Sequence, residues 1–176
     1  MNATSPIAFA QGRPFFEMVT SFLAATIGLG PLFEENNPLA LGPSTLAWYR
    51  GKVVPNLVID MGQVHAQCVS GALTADAAVK SLCCMLLNTA YAAAEPHRDQ
   101  SPEFEVFRHV RNAASHGNKF NFHPDEPRRP AAWGAFRIDN MQKGSANPLF
   151  GLECIGATIS PADALALLHD VEGRLP

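Results

Sequence analysis

The sequence predicts a mainly α fold: a helical bundle with a small β-hairpin or sheet inserted before the last helix. Three observations carry this expectation. Apolar residues recur at three- and four-residue intervals in several separate stretches of the 176-residue chain, the spacing that keeps one face of a helix buried. Two of those stretches open with Ser-Pro and an acidic residue in the first turn, a complete helix-start signal. Between them, residues 119–160 change to short alternating runs, the period of strands.

Residues 1–13 read as a lead-in. From Pro14, the series Phe15, Val19, Phe22, Leu23 and Ile27 has helical spacing, and the Pro- and Gly-rich stretch 30–43 reads as a loop. Ser44 starts a second helical series, Leu46, Tyr49, Val53, Leu57, Met61, Val64 and Cys68, with Asp60, Gln63 and Gln67 on its polar side. Pro55 lies inside this series, so a kink or two helices are expected there. Thr74 is the expected cap of a third helix, whose wide apolar stripe of Val79, Leu82, Cys83, Leu86, Leu87, Ala90, Tyr91 and Ala94 makes it central.

The fourth helix opens at Ser101-Pro102-Glu103 and buries Phe104, Phe107, Val110 and Ala114; Gly117 suits the left-handed position that ends it. A hairpin is expected from the runs 135–139 and 149–158. A last helix starts at Ser160-Pro161, with Asp163 in its first turn, and buries Leu165, Leu168, Val171 and Leu175. No linker divides the chain, so residues 1–176 read as a single domain with a β-type insertion at about 119–160.

Composition narrows the function classes. Apolar residues make up 47% of the chain and charged residues 16%, which excludes a disordered protein and favours a face covered by a second copy. The net charge of −3 argues against a long track for duplex DNA, which needs Lys and Arg spread over one face. Cys68, Cys83, Cys84 and Cys154 have no metal-binding spacing and read as reduced core thiols. The run 18–33 is interrupted by Thr20, Ser21, Thr26 and two glycines, falling short of the ~20 apolar residues of a bilayer span. Arg13 is the one early positive charge and no A-x-A site follows. A soluble, cytoplasmic protein without membrane contact is the expectation.

Chemistry concentrates at the end of the fourth helix, in Arg111-Asn112-Ala113-Ala114-Ser115-His116. Arg108, Asn112 and His116 follow i, i+4, i+8 spacing and share a polar face, with Arg111 and Ser115 beside them. His116 falls at the helix carboxyl end, where the dipole favours a protonated imidazole. A His that exchanges protons beside fixed guanidinium groups suits phosphodiester cleavage, the His moving protons and the Arg offsetting charge on phosphorus.

The run from Phe107 to Gly117 resembles the motif helix of HEPN domains, helical bundles in which an Arg is followed four to six residues later by a His, often with Asn after the Arg. Arg111, Asn112 and His116 match that pattern position by position. The toxin subgroup with Tyr two residues past the His is not matched, because that position is Asn118. The resemblance implies a metal-independent endoribonuclease acting as a homodimer with its motif helices facing each other, in defence or stress. His116 would act as general base on a ribose 2′-hydroxyl, Arg111 would stabilise the transition state, and Asn112 would orient the phosphate or the His. Arg108, Ser115 and Lys119 are the accompanying candidates for contact with RNA, expected to be single-stranded. No cofactor or metal is called for, and the partners implied are RNA, a second copy, and an antitoxin or regulatory protein. The alternative is a HEPN-like dimeric module that binds RNA or protein without cutting.

The remaining candidates read more plainly. Cys83 and Cys84 sit among Leu82, Met85, Leu86 and Leu87, a core setting that suits no nucleophile. His65 reads as a surface or dimer-contact residue, and His97 and Arg98 as loop residues. Arg128-Arg129 could hold an RNA backbone, since seven of the thirteen basic residues fall in 98–137, but five acids lie among them and a solvated loop is the plainer reading. His123, Trp133 and Phe136 could stack on a base, though packing of the hairpin explains them as well.

Overall fold

A computed structural model describes residues 7–36, 46–49, 52–53, 57–97 and 100–176. They are mainly helical: α1 (Phe16–Leu29), β1 (Leu46–Tyr49), β2 (Leu57–Asp60), α2 (Met61–Val69), α3 (Ala75–Ala94), α4 (Pro102–Ser115), β3 (Ala131–Trp133), β4 (Phe136–Ile138) and α5 (Pro161–Glu172), with short 3-10 turns between some of them. The chain forms two compact units, one from the residues up to Leu23 together with Lys80–Pro176, the other from Ala24–Val79.

The larger unit is built on α4. Ser101 caps it, its hydroxyl accepting the Phe104 N–H at 3.2 Å, and Pro102 fills the first turn, where a missing N–H costs nothing. Phe104, Phe107, Val110 and Ala113 are buried and α4 packs on β3 and α5. Phe107 is the centre of an aromatic cluster, 6.4 Å from Phe15, 5.4 Å from Tyr91 and 5.9 Å from Phe104 between ring centroids. From α3, Cys83, Leu86, Leu87, Ala90, Tyr91 and Ala94 line the same core. In α5, Ser160 and Asp163 form a reciprocal capping box, as the sequence signals. Its buried face is Ala164, Leu167, Leu168 and Val171, while Leu165 is only half-buried. The end of α5 is tied to the amino-terminal segment: Arg13 donates to the Leu175 carbonyl at 3.2 Å, and buried Glu172 accepts the Phe15 N–H at 2.6 Å.

The expected hairpin of 135–139 with 149–158 is corrected. β4 pairs instead with β3, in the register Ala131↔Ile138 and Trp133↔Phe136, around a two-residue loop whose Gly134 takes φ +54°. Residues 149–158 form turns with isolated bridges, Glu153 to Lys119 and Ile155 to Ile159, and no strand. Gly151 and Gly156 take φ +78° and +107°, and the Asn118 amide occupies both backbone groups of Ile155, donating to its carbonyl at 2.9 Å and accepting its N–H at 2.7 Å. Those are the groups a strand partner would need.

In the smaller unit the helix expected from Ser44 is also corrected. β1 and β2 form an antiparallel pair, Leu46↔Asp60 to Tyr49↔Leu57, and only α2 is helical. The apolar spacing imitates a helix, but Trp48, Tyr49, Val53, Val54, Val58 and Ile59 are aromatic or β-branched residues that favour strands. Pro55, the expected kink, lies outside the described residues. Asp60 caps α2, its carboxylate accepting the Gln63 N–H at 3.0 Å, and His65 Nε2 donates to the Glu34 carbonyl at 3.3 Å.

The apolar run near the amino terminus is longer than the sequence reading allowed. By length and composition alone, Phe16–Phe33 and Ala75–His97 both qualify to cross a membrane. The second supplies six buried residues to the larger unit, the place of a core helix.

Candidate active site

The carboxyl end of α4 is held on both sides. The His116 N–H bonds back to the Ala113 and Asn112 carbonyls at 3.0 and 3.1 Å. Gly117 and Asn118, at φ +68° and +62°, then turn the chain, and the Asn118–Ile155 clamp anchors it. His116 is thus an exposed residue on a fixed backbone.

Arg111 is positioned by an aromatic floor. Its guanidinium carbon lies 4.7 Å from the centroid of the Tyr91 ring, a cation–π contact, and Tyr91 is itself packed by Phe104 and Phe107. The Arg111 Nη1 donates to Asn112 Oδ1 at 3.1 Å, while its buried Nε has no hydrogen-bond partner. No carboxylate among the described residues pairs with it. The result is a cation fixed in place with its charge available to an anion.

Ser115 lies within hydrogen-bond reach of Asn88 Oδ1 and of the Arg111 carbonyl at 3.2 Å, one of which takes its single proton. Asn88 in turn donates to the Cys84 carbonyl at 2.9 Å. Arg111, Asn112 and Ser115 therefore form one connected group with Tyr91 and Asn88 of α3. His116 and Lys119 are exposed just beyond it, with Lys119 bridged to Glu153 through its backbone.

Arg108 faces elsewhere, and every nitrogen of its guanidinium has a protein partner. Nε donates to Glu105 at 3.0 Å, Nη1 to Glu126 at 2.7 Å and Nη2 to His109 Nε2 at 2.9 Å; Arg129 reaches Glu105 at 3.4 Å. Burial opposes the Arg108 charge, and the hydrogen bonds it donates to Glu126 and Glu105 overcome this and raise its pKa. Burial pushes the Glu126 carboxyl up, but its hydrogen bonds from Arg108 and the His123 N–H bring it below the usual range. His109 is buried and its pKa is pushed down to about 4, by burial first and then by the Arg108 charge. Because Nε2 accepts from Arg108, the ring proton sits on Nδ1, which is buried without a partner.

Sequence reasoning missed Tyr91, Asn88, Glu105, Glu126 and His109 as participants. Some signal was present: Asn88 is a polar break in an apolar stripe, one turn before Tyr91, and Glu105 stands three residues before Arg108. Burial raises the thiol pKa of Cys83 to about 12, with a contribution from Cys84, and raises Cys84 and Cys154 as well. None of the three has the thiolate character a nucleophile needs. Arg128 pairs with Asp125, and Trp133 donates to Asp170 at 2.8 Å; Arg98 lies outside the described residues. Among the described residues no group of three or more His, Cys, Asp or Glu could hold a metal ion. Comparison with known family models, curated proteins and solved structures found no match for this chain.

Proposed function

We propose that the chain is a HEPN-like endoribonuclease that cleaves single-stranded RNA by 2′-hydroxyl attack without a metal ion. The observation that carries the reading is Arg111: a guanidinium set on Tyr91 and Asn112, unpaired with any carboxylate among the described residues, five positions before an exposed His at a helix end. His116 takes the proton of the 2′-hydroxyl, and that oxygen bonds to the adjacent phosphorus. Arg111 offsets the charge that builds on the pentavalent phosphate, a role for which removal of one donor costs about 100- to 1000-fold in rate. The bond to the 5′-oxygen breaks and that oxygen takes a proton from solvent, leaving a 2′,3′-cyclic phosphate and a 5′-hydroxyl. Asn112 holds the Arg111 fork at its working angle.

The protein is read as soluble and cytoplasmic, a homodimer whose motif helices face each other, with an antitoxin or regulatory protein as a further partner. A second reading, a dimeric module that binds RNA or protein without cutting it, is favoured by one feature. Within the chain no side chain among the described residues orients the His116 imidazole, whereas general bases are ordinarily held by a second group. Incubation of a mixed single-stranded RNA in EDTA, followed by analysis of the product ends, separates the two. Cyclic-phosphate ends support cleavage; intact RNA that remains bound supports the module.

A further inference from the structure

The functional group on α4 does not end at Ser115. Helices α3 and α4 run antiparallel along a seam whose contacts follow in order: Tyr91 under Arg111, then Asn88 with Ser115, then a cleft lined by Lys80, Ser81, Cys84, Ala114, Gly117 and Asn118. Asn88 bonds the Cys84 carbonyl and so joins the middle of the seam to the cleft. The cleft is an open depression of about 350 Å³, and Gly117 on its wall directly follows His116.

The cleft has its own positioned cation. Lys80 pairs with Glu153 at 2.9 Å, with a quarter of its side chain exposed. Its stem crosses Gly156, where any Cβ would collide with Lys80 Cε and Nζ. The bare backbone at Gly156 and the carboxylate of Glu153 therefore set the ammonium in place. Lys80 and Tyr91 are separated by about 16 Å along the helix axis at 1.5 Å per residue. A cation thus stands toward each end of the seam, and the cleft wall at Gly117 adjoins His116 in sequence.

We propose that this seam is a cradle for single-stranded RNA, in which the cleft seats the nucleotide next to the cut and Lys80 binds its phosphate. The proposal rests on the RNA-cleaving reading of Arg111 and His116 and names where the strand lies. The cleft suits a single nucleotide rather than a duplex, and a phosphate on Lys80 competes with Glu153, which is nearly half exposed.

The test uses the full chain and a short single-stranded RNA carrying a 2′-deoxy position, which cannot be cut there. Its binding is followed by fluorescence polarisation at several salt concentrations for wild type, Lys80→Gln and Glu153→Gln. In parallel, alkylation of Cys84, the half-buried thiol of the cleft, is timed by mass spectrometry with and without the oligonucleotide. The expected result is several-fold weaker binding for Lys80→Gln with a log–log salt slope shallower by about 0.7. Glu153→Gln, which removes one carboxylate that competes for the ammonium, binds at least as well as wild type, and RNA slows Cys84 alkylation. Unchanged affinity and slope for Lys80→Gln overturns the proposal, as does unslowed alkylation in the wild-type complex, which also covers a variant that fails to fold. The two readings separate cleanly. Cleavage of all-ribose RNA without dependence on Lys80 removes the cradle and keeps the nuclease. Lys80-dependent, Cys84-protecting binding without cleavage keeps the cradle and removes the nuclease. No binding by wild type removes both.

Discussion

Acid should destabilise the protein in large part through His109. The ring is 1% exposed, lies 5.1 Å from the Phe122 ring, and accepts from Arg108. Arg108 on α4 and Glu126 from the following segment are the charges acting on it, with Glu105 on the far side of Arg108. A proton added at Nε2 would displace the Arg108 donor and place a second buried positive charge against it. The folded pKa of about 4 against 6.5 means that the unfolded chain binds more protons between those values. Stability is therefore fully present above pH 6.5 and is lost as pH falls toward 4. At 1.36 kcal/mol per pH unit, the loss reaches about 2.5 kcal/mol at pH 4.5.

The perturbation is His109→Gln, whose amide oxygen can still accept from Arg108 but does not titrate. Urea unfolding at pH 7.0 and 4.5 gives the stability change for each protein. The lowered Glu126 pKa also drains stability on acidification; most of that loss, set by the Arg108 and His123 hydrogen bonds, is common to both proteins, and the part that His109 itself contributes belongs to the difference. Wild type should lose about 2.5 kcal/mol more than the variant over this interval. Equal losses in the two proteins would refute the reasoning, because His109 would then titrate alike in the folded and unfolded chains.

Arg108→Met should cost about 3 to 5 kcal/mol, since it leaves Glu105 and Glu126, 4% and 8% exposed, without their shared cation; chemical denaturation measures it, and lost RNA affinity at unchanged stability would contradict the structural role. Phe107→Ala, at the centre of the aromatic cluster, should cost about 3 to 5 kcal/mol by the same assay. Arg111→Lys keeps the charge but loses the planar fork over Tyr91, so RNA cleavage should fall about 100-fold with the fold intact by circular dichroism; full activity would show that a bare positive charge is sufficient.

The elements legible in the sequence were those whose ends are marked by local chemistry. Ser101-Pro102 and Ser160-Pro161 with Asp163 announce α4 and α5, and both begin where those residues place them. The region from Ser44 was misread because strand residues happened to recur at helical intervals, and only residue type, not spacing, separated the two. The strand expected at 149–158 failed for a long-range reason: the Asn118 amide takes the backbone of Ile155. The site divides in the same way. Arg111, Asn112 and His116 stood out because they are close in sequence, and Arg111 and Asn112 are bonded. Tyr91 under Arg111, Asn88 against Ser115, and Glu126 on Arg108 join residues 18 to 27 positions apart. Such pairings follow from how α3, α4 and the 119–130 segment pack, which periodicity within one helix does not encode. The same packing turned Arg108 from an expected RNA contact into the hub of an internal charge network.

The most direct measurement is cleavage of a mixed single-stranded RNA in EDTA by wild type and by His116→Ala. His116 is exposed, so the variant should fold and melt as wild type does. The account predicts cleavage by wild type alone, with 2′,3′-cyclic phosphate and 5′-hydroxyl ends. Equal cutting by both folded proteins, or by neither, would contradict it.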